Sequence, residues 1–402
     1  MKLLRSDALA LTALIFITAL LGVRGIFSLA GSAHLSELAT YASVSDLAHA
    51  HEAKVITPGD VASWVSSTEN AWCFRELPEG ADPETFRSIG ANLSPNWTSP
   101  AYLLLARLGA SAFAALGAGG LTALRLATLA LFCLATGLVY VALRAWGARP
   151  VAAGSLGIIA LAWLPLTTLA TSAGTAVVGL IGAAIGALVL SRPQLSWPSA
   201  FGAGLLIAAL SPLAGLVFTI VVAGFAARRS LSPAHLAAAA AGTVLAVWRL
   251  TIIVGAAPGD RALMPGGREF THFLYFVAST PLISPSGIHH PLGTIPWLAL
   301  GRLAAYALLA APVLALLLGR GRERTLGAGT LAAFIATPAL VEMYLYTRDL
   351  GLEGGRMELT APLIPFLLTC LALLLPRGRR TDLVLVACAA LTTLVLAWSL
   401  SR

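Results

Sequence analysis

Apolar runs of about 17–25 residues recur along almost the whole chain, each long enough for a helix to cross a hydrocarbon core of roughly 30 Å. Lipid offers no partner for backbone N–H and C=O groups, so such runs fold as helices or as closed barrels. The period-two alternation of barrel strands is missing from these runs. Of 402 residues, 58% are hydrophobic and 11% charged, whereas a soluble domain carries about a quarter charged. The expected fold class is all-α: a polytopic membrane protein with about eleven transmembrane helices, forming a single transmembrane domain over residues 1–402.

Arginines punctuate the short connections: Arg144 and Arg149, Arg192, Arg228 and Arg229, Arg320, Arg322 and Arg324, and Arg377, Arg379 and Arg380. Such clusters mark the cytoplasmic side. They supply much of the net charge of +8 without a folded basic domain, so nucleic acid is not an expected partner. Spans are expected over 8–23, 121–143, 151–169, 174–190, 233–254, 297–318, 326–345, 359–375 and 382–398. Residues 198–227 join two basic clusters and so need an even number of crossings. Ser211-Pro212 divides them into two short helices, whose freed carbonyls need partners from neighbouring helices. The first helix is read as retained, not as a cleaved signal peptide. The N-terminus is then cytoplasmic, and the protein sits in the plasma (inner) membrane.

Between the first two spans lies a polar insert, residues 31–100, holding nine of the eighteen carboxylates. With 100–120 read as an interfacial helix, the extracytoplasmic loop covers 31–120. On this topology six of seven histidines and fourteen of eighteen carboxylates face outward. Insertion needs none of them, which makes the outer face the working side.

Within the insert, Asp46 and His49 share a face if their segment is helical, with Glu52 one step further round. A carboxylate beside a histidine suits a general base toward a hydroxyl; a solvated polar face has the same spacing. Arg356 follows two glycines at an outer helix start. There it either grips a phosphate through its planar fork or snorkels to headgroups. Arg249 and Arg125 break the positive-inside pattern, and each meets either an anionic group or an outer carboxylate. His289 and His290, in the second outer loop, are further phosphate-binding candidates. Asn96, Trp97 and Tyr102 form either an aromatic belt anchor or a sugar-stacking platform. Cys73 is the one cysteine in the outer insert, so no disulfide closes within it, and no Cys/His cluster has zinc-ligand spacing.

These residues carry a resemblance to the DUF2142 family of bacterial polytopic proteins. Asp46-Leu47-Ala48-His49 looks like its Asp-Glu-x-x-His segment, and residues 95–102 resemble its Tyr-Pro-Pro-x-Tyr-Tyr stretch. Gly354-Gly355-Arg356 resembles its Gln-Gly-Arg-Tyr segment, and the three anchors fall in the same order. Leu47 stands where the family has Glu, Gly354 where it has Gln, and Met357 where it has Tyr. That family is similar in layout to GT-C glycosyltransferases, which hold a polyprenyl-phosphate sugar between outer loops. The resemblance implies that Asp46 is the acidic residue of the first loop and Arg356 a donor-phosphate ligand. The Leu47 departure leaves open which of the family's two adjacent acids does the work. The Ala/Leu/Arg-rich, lysine-poor composition resembles that of actinobacterial proteins, whose envelopes use decaprenyl-phosphate-linked arabinose and mannose.

The expected function is therefore a membrane glycosyltransferase moving a sugar from a polyprenyl-phosphate donor to a glycan or lipid acceptor of the cell envelope. Asp46, oriented by His49, serves as base, and Arg356 holds the departing phosphate, with Arg249, His289 and His290 as helpers. Glu52, Asn96, Trp97 and Tyr102 are the acceptor or sugar contacts. A divalent cation beside Asp46 is neither required nor excluded. The rival expectations are a transporter or flippase of lipid-linked glycans and a non-catalytic envelope-assembly subunit.

Overall fold

The computed structural model describes residues 5–29, 32–34, 37, 74–76, 99–227, 231–256, 294–346 and 360–401. Among them, α-helices supply nearly all the regular structure. After α1 (Arg5–Ser28), two three-residue strands, β1 (Ser32–His34) and β2 (Phe74–Glu76), pair antiparallel with Ala33 opposite Arg75. Then come α2 (Pro100–Ala115), α3 (Gly120–Ala145), α4 (Pro150–Ala160), α5 (Leu164–Thr171) and α6 (Ala176–Ser191). They are followed by α7 (Trp197–Leu210), α8 (Pro212–Ala226), α9 (Pro233–Ala256), α10 (Ile295–Leu318) and α11 (Arg322–Tyr346). A 3-10 turn at Ala361–Leu363 opens α12 (Ile364–Leu374), and α13 (Arg379–Ser399) is the last helix.

Five helices, α1, α3, α9, α10 and α13, are long and apolar enough to cross a membrane, with a sixth crossing if α4 and α5 form one span. The expectation of about eleven crossings exceeds what length and composition establish. The difference lies in the short apolar helices α6, α7, α8 and the segment Ala361–Leu374, and in α11, which is not among those five; α2, expected as an interfacial helix, is also short. The span expected over 151–169 is also not straight, because α4 and α5 meet at 82°. At the corner, Leu161, Ala162 and Trp163 donate to carbonyls three residues back, and Pro165 has no N–H to continue the helix.

Helix α6 is buried on almost every side, as expected of a helix that is apolar all round. Around it pack α3, α7, α8 and α12. Helix α13 is peripheral, with Leu383, Val384, Leu391 and Leu394 exposed. The tightest crossing is that of α7 and α9: a Cβ added at Gly204 would lie 2.0 Å from the Ala238 carbonyl oxygen. Only a glycine permits that approach.

The helices share two polar ends. At the first, Arg144 in the last turn of α3 pairs with Asp7 in the first turn of α1, and Arg149 pairs with Asp382 of α13. Arg322 at the start of α11 donates to the Leu190 carbonyl and lies 4.8 Å over the Trp146 ring. His235 Nε2 sits 3.2 Å from the Val189 carbonyl. All the basic connections among the described residues that the sequence assigns to the cytoplasm gather at this end. The opposite end receives the polar insert.

Candidate functional site

Two features of the insert end bring distant segments of the chain together: the break between α7 and α8, and a buried ion pair beside it. The break follows from Pro212, which removes the donor that Ala208 would otherwise meet and cannot continue α7. Ser211 caps the N-terminus of α8, its hydroxyl accepting from the Ala214 amide. The carbonyls of Ala208, Ala209 and Leu210 are left without helical donors, yet each has a partner. The last helical bond of α7 is that from Ser211 N–H to Ile207 O, at 3.1 Å. Arg249 Nη1, from α9, donates to Ala208 O at 2.9 Å and to Ala209 O at 2.6 Å. Ser99 Oγ–H donates to Leu210 O at 2.7 Å in a buried contact. The need for such partners was legible in the sequence, and Arg249 and Ser99 supply them.

The same break also meets the chain just after the segment that joins α11 to α12. A methyl group added at Gly179 of α6 would lie 3.3 Å from Pro362 Cγ and 3.4 Å from Ser211 Oγ. Thus the N-cap of α2, the C-terminal part of α9 and the turn before α12 converge on one interruption of one helix pair. Those three elements follow, precede and follow the polar loops on which most candidate residues lie.

Beside the break, Arg125 of α3 forms a fork-to-fork pair with Glu37: Nε donates to Oε1 at 2.9 Å and Nη2 to Oε2 at 2.8 Å. Both side chains are 1% exposed. Arg125 Nη1 also donates to the Leu29 carbonyl, and Glu37 Oε1 accepts from the Ala173 amide at 2.7 Å. The pair therefore joins the end of α1, the start of the insert, α3 and the α5–α6 turn. Such bidentate, charge-assisted bonding is what makes a buried pair tolerable. Tyr102 of α2 lies in the same network, buried, with its hydroxyl 2.8 Å from Thr128 Oγ1. Because Thr128 Oγ1 donates to Leu124 O, Tyr102 is the donor in that contact.

Arg125 thus meets an outer carboxylate, one of the two partners expected for it, and Glu37 is the residue that sequence reasoning did not single out. Tyr102 holds the α2–α3 packing, with its ring enclosed and not presented to a sugar. Arg249 sits at the break. Asp46, His49, Glu52, Asn96, Trp97, His289, His290 and Arg356 lie outside the described residues. Comparison of the chain with protein-family models, with curated proteins and with solved structures finds no match.

Proposed function

We propose that the protein is a membrane glycosyltransferase, GT-C-like and related to the DUF2142 family. It moves a sugar from a polyprenyl-phosphate donor to an extracytoplasmic envelope acceptor. In this reading the chain crosses the plasma (inner) membrane about eleven times, with the basic end cytoplasmic and the insert end outside.

The observation that carries the reading is the convergence of Ser99, Arg249 and Pro362 on the α7–α8 break. Three segments distant in sequence are fastened at one spot at the end of the bundle, as an enzyme that assembles a site from several loops requires. The chain itself limits how far the candidates stray from their anchors. Arg356 precedes Thr360 by four positions and Trp97 precedes Ser99 by two, reaches of at most about 14 Å and 7 Å. Asp46 follows Glu37 by nine positions, about 32 Å at full extension.

Asp46, held by His49, takes the proton of an acceptor hydroxyl as it attacks the sugar's anomeric carbon. The bond from that carbon to the lipid phosphate breaks, and Arg356 receives the departing phosphate. The test uses purified protein in detergent, a radiolabelled pentose or hexose on decaprenyl phosphate, and a synthetic glycan acceptor. Wild type is expected to transfer label, and Asp46→Asn and Arg356→Ala to lose it by about 10²-fold or more. Equal turnover by both variants overturns the mechanism. A wild-type protein that moves intact donor across a vesicle bilayer without transfer is a flippase instead.

A further inference from the structure

Arg249 is half-buried, and its two edges do different things. Nη1 is committed to the carbonyls of Ala208 and Ala209. Nε and Nη2, the parallel pair of donors, have no hydrogen bond among the described residues. In the two other arginines that bind side-on, that same edge holds an acid: Glu37 at Arg125 and Asp7 at Arg144. At Arg249 that edge takes no part in the contact with the break, which is made by Nη1 alone. The surroundings say what can approach. Val244, Val247 and Trp248 of the same helix are 72%, 50% and 60% exposed. Ala246, on the opposite side, is buried. Arg249 therefore stands on the border between the packed face of α9 and a face suited to hydrocarbon. Sixteen residues separate it from the start of α9 at the basic end, about 24 Å of helix rise. That depth is close to the far headgroup layer of a core roughly 30 Å thick, and an exposed tryptophan beside it fits the interfacial belt.

We infer that the Nε/Nη2 edge of Arg249 is a binding point for the phosphate of a lipid lying against α9, which enters from the bilayer and not from water. An arginine fork matches two phosphate oxygens. The contact with the α7 carbonyls removes the rotamer freedom that an arginine on a bare helix would have to give up. The inference deepens the transferase reading and rests on it for the lipid's identity, a polyprenyl monophosphate; the phosphate contact itself does not depend on catalysis.

Native mass spectrometry of the detergent-purified full chain tests it, with decaprenyl monophosphate as probe, and decaprenol and phosphatidylglycerol as comparisons. Wild type is expected to retain the monophosphate at least tenfold better than decaprenol. Arg249→Gln, which keeps an amide donor for the α7 carbonyls, is expected to lose that margin, and Arg249→Lys to recover part of it. Thermal unfolding of each variant checks that the fold survives. A folded Arg249→Gln that binds the monophosphate as wild type does overturns the inference. If the variant misfolds, a phosphomonoester lipid whose own phosphorus-31 resonance is unperturbed by wild-type protein does the same. Arg249-dependent retention of phosphatidylglycerol equal to that of the monophosphate supports a lipid-phosphate site and removes the donor assignment. Arg249-dependent binding in a protein with no transferase activity sinks the transferase reading while leaving this one in place.

Discussion

At the scale of single residues the Glu37–Arg125 pair is the most demanding contact described. Each group alone would be a charge with almost no water, so removing one partner costs more than the pair contributes. Glu37→Gln is expected to destabilise by about 3–5 kcal/mol, read from denaturant or thermal unfolding in detergent. The joint change Glu37→Leu with Arg125→Met is expected to cost less than the sum of the two single changes, because neither leaves a charge behind. Additive costs would show that the pair is not coupled as its geometry requires. The sequence made half of this legible. Arg125, a cation near the outer end of a span, had to meet an anion or an outer carboxylate. Which carboxylate was not legible, since the insert offers nine and spacing within a loop says nothing about which returns to the bundle. Arg249 shows the same division: Ser211-Pro212 announced unpaired carbonyls, but the donor came from another helix, in a contact that local pattern does not encode.

Helices were easier to place than their bends. The rule that two basic ends need an even number of crossings put a break at Ser211-Pro212, and α7 and α8 meet there. The corner between α4 and α5 was hidden, because Trp163-Leu164-Pro165 lies inside an unbroken apolar run and a proline in a span often only kinks it. Between α7 and α9 the helix axes approach through Gly204, where the obstacle to any side chain is backbone and not a movable neighbour. Gly204→Leu is accordingly expected to destabilise by about 1–3 kcal/mol or more. Because Arg249 reaches the α7 carbonyls across this same crossing, the substitution should also weaken retention of decaprenyl monophosphate. A variant with unchanged unfolding and unchanged lipid retention would contradict the crossing.

For the whole molecule, the two polar ends give a testable orientation. Gly119 lies in the α2–α3 turn at the insert end, and Gln194 between α6 and α7 at the basic end; both are exposed. In a background without native cysteines, Gly119→Cys is expected to react with a membrane-impermeant maleimide in intact cells. Gln194→Cys should react only after permeabilisation. The reverse pattern would invert the protein, and labelling of both from one side would contradict the two-ended arrangement. The α7–α8 break has one more consequence for the membrane itself. Helices of 14 and 15 residues rise about 21 and 22 Å, well short of a bilayer's apolar thickness. On the proposed eleven-span topology, lipid beside them would relieve this hydrophobic mismatch by thinning. Headgroups would thereby be drawn down toward α9, so that an amphiphile arriving there would meet the protein without first leaving its own leaflet.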